Sequence, residues 1–373
     1  MILYLSFLII ISRFLKDYKV FFILPVKYTN KIIRTLLRDD TNAGEVRKLK
    51  KYSYNNYEIN ILPFLSVQRF RNLHAILSYT LFMLNKKFIN KLIVENNIDV
   101  VHAQFIFPDG LLAYNIWKKF GIPYVVTSHN ELKYFKHSIS RRLSLKIFKN
   151  AYRVTPINFT NYTTFQEHNV TNIDHIPLGF DEKLLELKKS EKHDQVKIIT
   201  IASLIKLKNI DKVIMALARL DRDYNFQYNI VGDGPEKDNL EAIINQNKLE
   251  DKVKLLGRIA HDKIGDVLRE HDIFIMPSFF ETFGRVYFEA MALGLPVICA
   301  KNSGIYGFFK EMEEGISVDH TDIDDIRNKI ELLISDKSLR TRIGNKGNEL
   351  VKKYTWKSLA IRYNEMYKKS LEK

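Results

Sequence analysis

The chain has 373 residues, of which 46% are hydrophobic, and it carries a formal net charge of +15. This length exceeds what one hydrophobic core usually supports, so two domains are expected, and the hydrophobic content excludes broad disorder. The excess of Lys and Arg is spread along the chain and predicts anionic partners, such as phosphate-bearing ligands or acidic lipid. No helix-turn-helix, zinc-finger or RNP-type pattern is present, so nucleic acid is not expected among the partners. The single cysteine, Cys299, excludes a disulfide framework within the chain.

The N-terminal stretch, residues 1–12, is the one segment with the character of a targeting or membrane segment. It is shorter than the ~20 apolar residues that span a bilayer. It has no basic residue before it and no small-residue cleavage site after it, so we expect no secretion and a cytoplasmic protein. The stretch suits a first strand or part of a buried helix, and residues 18–26 predict a strand.

Residues 27–95 are basic and aromatic, with a strand predicted at residues 57–62 and a helix around residues 77–94. Two interpretations of their cations and rings remain open. They suit peripheral contact with an anionic membrane at its inner face, or they are solvated cations and core rings. The side chains in question are Phe64, Arg69, Phe70, Arg71, Phe82, Lys86, Lys87, Phe88 and Lys91.

Two predicted strand ends in the first half of the chain carry candidate functional residues. His129 follows a strand of β-branched residues, and ligands in open parallel sheets bind at the carboxyl ends of strands. His129 is therefore a candidate site residue. His102 and Asp109 are weaker candidates, because helix capping and turn formation also explain them. The predicted strands of this region are residues 98–104, 124–128, 151–156 and 174–177.

The second half of the chain contains a clear strand, loop, helix and strand. Residues 272–276 predict a buried strand, a helix follows from Arg285 to Gly294, and residues 296–300 predict the next strand. Helix N-termini at the carboxyl ends of parallel strands point free N–H groups outward. An anion is therefore expected near residues 284–286.

Two carboxylates flank that position, Glu281 in the loop and Glu289 in the helix. Carboxylates repel a phosphate, so hydroxyl groups on the same ligand are better partners for them. A ligand with an anionic middle and hydroxyl groups on both sides is a nucleotide sugar, which is the predicted donor.

The stretch ETFGRVYFEAMALGLPV, residues 281–297, resembles the signature of the retaining glycosyltransferases of the family-4 type. DVVHA, PDG and GIPYVVTSH in the first half, and GDGPE in the second, are similar to the same family. The resemblance implies an α/β protein with the glycosyltransferase-B fold (GT-B), in which two Rossmann-like domains face a cleft. The domains would be an acceptor-side domain at residues 1–185 and a nucleotide-sugar-binding domain at residues 196–353. The polar run 182–195 is the predicted linker, and the last helix, residues 354–373, would return to the first domain.

The resemblance also implies roles for individual residues. Glu281 would lie by the donor sugar, His129 would hold a hydroxyl of that sugar, and Glu289 would hold the ribose. Lys208 would clasp the diphosphate. Ser203 stands where relatives have an arginine, and this exchange removes a charge but keeps a hydrogen bond. The candidate donor-binding residues are Ser203, Lys208, Arg258, Phe283, Gly284, Arg285, Val286 and Glu289, while His102 and Asp109 would lie on the acceptor side.

Two elements of the family pattern differ in this chain. No paired-glycine loop precedes residue 18, so we expect the first strand and its phosphate-binding loop to be missing or replaced. After the strand at residues 296–300, the segment 303–307 keeps one of the family's paired glycines and lacks its acid.

The predicted reaction is transfer of a hexosyl group from a nucleotide-diphosphate sugar to an acceptor hydroxyl, with retention at the anomeric carbon. No protein nucleophile is evident, so front-side attack through an oxocarbenium-like transition state is favoured. No D-x-D cluster stands at a predicted strand end, so neither a metal nor a cofactor is expected. A saccharide or lipid-linked acceptor in cell-surface polysaccharide or glycolipid synthesis suits the basic charge. Two alternatives remain open, a sugar-nucleotide epimerase of the same architecture and a truncated or non-catalytic family member.

Overall fold

The computed structural model describes residues 19–28, 51–54, 57–65, 74–130, 132–190 and 195–372. The predictions for residues 1–12, for the missing glycine loop and for residues 69–71 lie outside these ranges.

The chain divides into two compact units. The first unit contains the described residues up to Ile157, then Asn161–Ile176 and the chain from Ala360 onward. The second unit contains Asn158–Thr160 and Pro177–Leu359.

In its described residues, the first unit has six strands in two sheets. The strands are β1 (Phe22–Tyr28), β2 (Lys51–Tyr54), β3 (Tyr57–Leu65), β4 (Val101–Ala103), β5 (Tyr124–Ser128) and β6 (Arg153–Pro156). In one sheet β3 lies between β1, which is parallel to it, and β2, which is antiparallel. In the other sheet β5 lies between β4 and β6, and all three strands are parallel. Every residue of β5 is buried, as expected for a parallel strand that is covered on both faces.

Helices surround these sheets. They are α1 (His74–Leu77), α2 (Tyr79–Leu84), α3 (Lys86–Asn96), α4 (Leu111–Phe120), α5 (Ser138–Asn150) and α6 (Phe159–Glu167). The helix predicted around residues 77–94 is thus present as three consecutive helices. Gly121 ends α4 in a left-handed conformation, with φ of 74°, which glycine adopts at little cost.

The second unit is built around one six-stranded parallel sheet. Its strands are β7 (Val196–Ile201), β8 (Phe226–Val231), β9 (Val253–Gly257), β10 (Ile273–Met276), β11 (Val297–Ala300) and β12 (Ile316–Val318). Their order across the sheet is β12, β11, β10, β7, β8 and β9. This is the order of a dinucleotide-binding Rossmann sheet, and every neighbouring pair is parallel.

Helices lie between most of these strands, as the crossover connections of a parallel sheet require, and two further helices follow β12. They are α7 (Ile210–Ala218), α8 (Lys237–Gln246), α9 (Ile264–Leu268), α10 (Arg285–Ala292), α11 (Ile323–Ser335) and α12 (Lys337–Val351). A last helix, α13 (Trp356–Leu371), begins in the second unit and continues in the first. Within the described ranges, none of the helices combines the length and apolar character needed to cross a bilayer.

The structure corrects three sequence predictions. Residues 174–177 do not form a strand. The strand pairing next to them is an isolated bridge between Ile173 and Val154. The strand predicted from residue 18 begins at Phe22. The described part of the predicted linker lies within the second unit, where the backbone N–H of Ser190 donates to Arg269 O at 3.1 Å.

Candidate active site

The sheet of the second unit has a switch point between β7 and β10. These strands are neighbours, but the chain continues from β7 to β8 on one side and from β10 to β11 on the other. Open α/β sheets bind ligands at such a point, beyond the carboxyl ends of the two strands. Lys208 lies in the loop after β7 and Glu281 in the loop after β10. The two residues thus flank the switch point.

Close backbone contacts hold the loops at this edge. The N–H of Leu204, after β7, donates to Asp233 O, after β8, at 2.9 Å. Gly232 has φ of 149°, and a Cβ atom there would lie 1.8 Å from Ala202 O. The G-x-G-P-E turn therefore needs glycine for a close approach between two loops, which fixes the segment that carries Lys208.

Lys208 and Glu281 form an ion pair between Nζ and Oε2. Each side chain retains 16% of its exposure, so a charged ligand can reach the pair. The backbone of Glu281 is held on both sides, because its N–H donates to Ser303 Oγ at 2.9 Å and its C=O accepts from Gly304 N at 3.0 Å. The carboxylate is thus fixed by the loop after β11 as well as by its own loop.

The N-terminus of α10 lies directly after Glu281. Gly284 precedes the helix with φ of 74°, and it has no side chain that could accept from the first helical N–H groups. A Cβ atom at Gly284 would lie 2.7 Å from the ring of Tyr287. Tyr287 donates through its hydroxyl to Met276 O at the end of β10, and burial raises its pKa well above the usual range. The ring therefore anchors the start of α10 to the end of the strand.

Glu289 lies one turn into α10, where its side chain is 8% exposed. Arg285 Nε lies 4.0 Å from Glu289 Oε1, and Arg285 Nη2 lies 3.3 Å from His261 Nε2. Burial raises the pKa of Glu289, while Arg285 and His261 oppose this rise. A buried carboxylate with one distant cation is well suited to accept hydrogen bonds from ligand hydroxyl groups.

The other predicted donor-binding residues of the second unit differ in their exposure. Ser203 and Arg258 are exposed and Val286 is partly buried, so all three remain accessible. Phe283 differs, because its side chain is 1% exposed and packs edge-on against the rings of Phe288 and Phe308. The structure therefore supports a packing role for the Phe283 ring rather than contact with a ligand.

In the first unit, His102 lies in a buried network of polar side chains. His102 Nδ1 lies 2.5 Å from Tyr367 Oη, and His102 Nε2 lies 2.7 Å from Thr127 Oγ1 and 3.2 Å from Gln104 Nε2. Burial lowers the pKa of His102 to about 3. A neutral histidine with partners on both ring nitrogens suits a structural role, so these contacts favour the interpretation of His102 as part of the protein interior.

His129 is fully buried and continues this network. Its Nε2 donates to Gln104 Oε1 at 3.2 Å, its ring lies 5.0 Å from that of Phe105, and its C=O accepts from Asn161 Nδ2 at 3.0 Å. Burial, and then His102, lower the pKa of His129 to about 3. The ring is thus neutral at physiological pH.

Asp109 is partly exposed in the short turn before α4. Burial raises its pKa to about 7, against backbone N–H groups of Gln104 and of Asp109 itself that lower it. This carboxyl group therefore changes its charge near neutral pH. Its predicted place on the acceptor side remains a prediction.

The sequence did not identify three residues that contact and position the residues of the site. Ser303 was noted only as part of a divergent family segment, and Tyr287 and His261 were not singled out. A polar residue soon after the apolar run of β11 was the one available signal for Ser303. Within the described residues, no cluster of three or more His, Cys, Asp or Glu side chains is arranged to hold a metal ion.

Two family models match the chain. Glycosyltransferase Family 4 matches residues 47–184, and Glycosyl transferases group 1 matches residues 182–350. An uncharacterized glycosyltransferase from Methanocaldococcus jannaschii is 25% identical over 317 residues, which are 84% of this chain and 85% of that protein. The alpha-monoglucosyldiacylglycerol synthase of Acholeplasma laidlawii is 26% identical over 269 residues, 64% of this chain and 67% of that protein.

Solved structures with the same fold cover most of the chain. HepE from Anabaena, in complex with UDP, has a TM-score of 0.69 at 19% identity, covering 93% of this chain and 100% of that one. Sucrose-phosphate synthase from Thermosynechococcus elongatus has a TM-score of 0.67 at 19% identity, covering 86% of this chain and 85% of that one.

The fold is of the GT-B class, with two Rossmann-like domains. The two family models together extend from residue 47 to residue 350. The chain belongs to the glycosyltransferases of group 1 and family 4, which confirms the family and the fold class predicted from the sequence.

Proposed function

We propose that this glycosyltransferase transfers a hexosyl group from a nucleotide-diphosphate sugar to an acceptor hydroxyl, with retention at the anomeric carbon. The observation that carries the proposal is the placement of Lys208 and Glu281 on either side of the switch point, next to the N-terminus of α10. A cation and free helical N–H groups attract a diphosphate, and a neighbouring carboxylate accepts hydrogen bonds from sugar hydroxyls. The complex of HepE with UDP-glucose supports this class of donor.

When the donor binds, Lys208 and Glu281 would each exchange their partner in the ion pair for a group of the donor. The diphosphate would take Glu281's place beside Lys208 Nζ, so one anion replaces another and the ammonium group stays paired. The carboxylate would then accept from hydroxyl groups of the donor sugar. Its backbone, held by Ser303 and Gly304, would keep it in place during this exchange.

Charge on the leaving diphosphate would be stabilised by Lys208 and by the N–H groups at residues 284–286, without a protein-bound metal. Glu289 would hold the ribose hydroxyls from within α10. The acceptor hydroxyl would attack from the face that the diphosphate leaves and pass its proton to an oxygen of that diphosphate. Attack on this face gives retention, and the reacting carbon would resemble an oxocarbenium ion. The role of His129 beside the donor sugar stays a prediction from the family resemblance.

The acceptor is proposed to be a saccharide or a lipid-linked molecule, reached by peripheral contact with an anionic membrane. In the first unit, Met83 and Leu84 are 72% and 57% exposed, and the exposed Lys86 and Lys87 follow after one intervening residue. Exposed apolar side chains beside cations suit the interface of an anionic bilayer. The diacylglycerol-based product in the name of the Acholeplasma relative supports a lipid acceptor.

The test is release of free nucleotide from a panel of UDP-, GDP- and ADP-sugars, measured for the wild-type chain, Glu281→Gln and Lys208→Met. We expect release from one donor and a decrease of about 100- to 1,000-fold in each variant, which is typical of lost electrostatic stabilisation. Lys206→Met is the matched control, since Lys206 is an exposed lysine in the same short turn and its loss should change release less than 2-fold.

The outcomes separate the remaining functions. Product that forms in the absence of any acceptor and retains the nucleotide would indicate an epimerase. If the wild-type chain neither releases nucleotide nor gains thermal stability with any donor, the chain is non-catalytic as it stands and the proposal is withdrawn.

A further inference from the structure

The large hydrophobic side chains exposed on the second unit gather at one edge. In the described part of this unit they are Leu207, Leu256, Phe279 and Phe280, with 43%, 45%, 58% and 49% exposure. Leu207 follows β7, Leu256 lies near the end of β9, and both phenylalanines follow β10. All four therefore lie at the carboxyl ends of strands, which is the edge where open α/β sheets bind ligands. On an ordinary protein surface, exposed hydrophobic residues are scattered rather than gathered in this way.

Three of these exposed residues, Leu207, Phe279 and Phe280, lie on the loops after β7 and β10, and they are called the apolar shelf below. The N–H of Phe279 donates to Leu207 O at 2.8 Å, so the loops after β7 and β10 meet at the shelf. The ring of Phe279 lies 5.0 Å from that of His320, in the loop after β12.

A buried asparagine fixes the loops beneath the shelf. Asn209 is 7% exposed, and its Nδ2 donates to Pro277 O at 2.9 Å and to His320 O at 3.3 Å. Lys212 Nζ donates to His320 O at 2.8 Å. The exposed rings are thus carried by loops that are cross-linked through their backbones, and such a surface loses little entropy when a ligand packs on it.

The shelf adjoins the ion pair of the active site, since Leu207 precedes Lys208 and Phe280 precedes Glu281. A sugar ring has polar hydroxyls at its rim and C–H groups on its faces. The negative face of an aromatic ring attracts such C–H groups, while a neighbouring carboxylate accepts from the hydroxyls.

We propose that Leu207, Phe279 and Phe280 bind a face of a sugar ring in the transfer reaction and so contribute to sugar specificity. The inference rests on the proposed function, and the sugar ring can be that of the donor or that of the acceptor. The shelf would select for rings with an uninterrupted apolar face, because an axial hydroxyl pointing at a phenylalanine would lose its hydrogen bonds to water.

The experiment compares Leu207→Ala, Phe279→Ala and Phe280→Ala with Phe280→Tyr, which keeps the ring. Ile139→Ala, a 62% exposed hydrophobic residue of the first unit, is the control. Calorimetry gives the affinity for the nucleotide alone and for the donor found in the release panel. Transfer is measured with p-nitrophenyl glycosides of glucose, galactose and N-acetylglucosamine as acceptor probes.

We expect a loss of about 3- to 10-fold in each alanine variant, with Phe280→Tyr and Ile139→Ala close to wild type. If the donor sugar stacks on the shelf, affinity for the nucleotide sugar falls while affinity for the nucleotide alone does not. If the acceptor stacks there, both affinities stay constant and the KM for the acceptor probe rises.

Two results would overturn the proposal. One is a set of alanine variants with unchanged affinities and unchanged acceptor KM. The other is unchanged sugar parameters together with weaker binding to phosphatidylglycerol vesicles, which would identify the shelf as a lipid contact. If no nucleotide sugar binds the wild-type chain, the proposed function and the shelf both fail; if one binds and the variants match wild type, the shelf alone fails.

Discussion

The carboxyl edges of the two units use polar residues in opposite ways. In the first unit, Gln104 links the partly buried His102 to the fully buried His129, and both histidines are neutral. In the second unit, Lys208 and Glu281 are charged partners that remain partly exposed. Burial removes charge from groups that can lose it, whereas an exposed pair keeps charge available for a ligand. The difference suggests that binding of an anion belongs to the second unit.

The pH dependence of stability is the strongest test that the two histidines of the first unit are neutral in the folded chain. Burial holds the pKa of His102 and of His129 at about 3, far below the ordinary value of 6.5. Between pH 6.5 and pH 3, the unfolded chain therefore binds more protons than the folded chain. Stability should fall as the pH decreases through this window, by about 2–4 kcal/mol between pH 7 and pH 5. Urea denaturation at several pH values measures this change.

His102→Gln replaces the imidazole by a side-chain amide, which can still form hydrogen bonds in the network but does not titrate. The pH dependence of stability should therefore be clearly shallower. Asp109 acts in the opposite direction, because its pKa of about 7 means that the folded chain binds more protons between pH 3.8 and pH 7. Its contribution to stability is lost as the pH rises through that window, and Asp109→Asn should stabilise the chain at pH 8. Equal pH slopes in wild type and His102→Gln would contradict the neutral network.

A smaller effect is expected from Ser303, which holds the backbone of Glu281. Ser303→Ala removes the acceptor of the Glu281 N–H, a bond of 2.9 Å, so the carboxylate should lose part of its fixed position. We expect kcat to fall about 3- to 10-fold, with little change in the KM for the donor, in line with one lost hydrogen bond. Ser303→Thr retains the hydroxyl and should restore most of kcat. A decrease confined to thermal stability, with kcat intact, would assign Ser303 a purely structural role.

The smallest effect concerns Ser203, the exposed residue at the position of the family's arginine. Ser203→Arg adds a cation at the edge that is proposed to bind the diphosphate. Since the position is exposed, the gain should be modest, and we expect the KM for the donor to fall about 2- to 5-fold. Ser203→Gln, of similar length and without charge, is the control. If both substitutions change KM alike, charge is not the cause, and the comparison between the two edges loses this support.

Particular residues show how far the sequence could be taken. The strand ending at Met276, the helix from Arg285 and its end before Gly294 were all predicted, because buried parallel strands and helix ends have local signals. The Phe283 ring was assigned to the donor because it belongs to the stretch that resembles the family signature, and only the structure showed that it is buried against two other rings. Residues 182–190 read as a linker for their polarity, yet their backbone is bonded within the second unit.

Local sequence pattern was enough to predict the family, the alternation of strands and helices in the second unit, and the loop and helix positions of Glu281, Glu289 and Lys208. The structure was needed to show that Lys208 and Glu281 pair, that Ser303 holds the backbone of Glu281, and that the backbones of Leu207 and Phe279 meet. Each of these contacts joins loops from different strands. Their formation depends on the order of strands across the sheet, which local sequence does not encode.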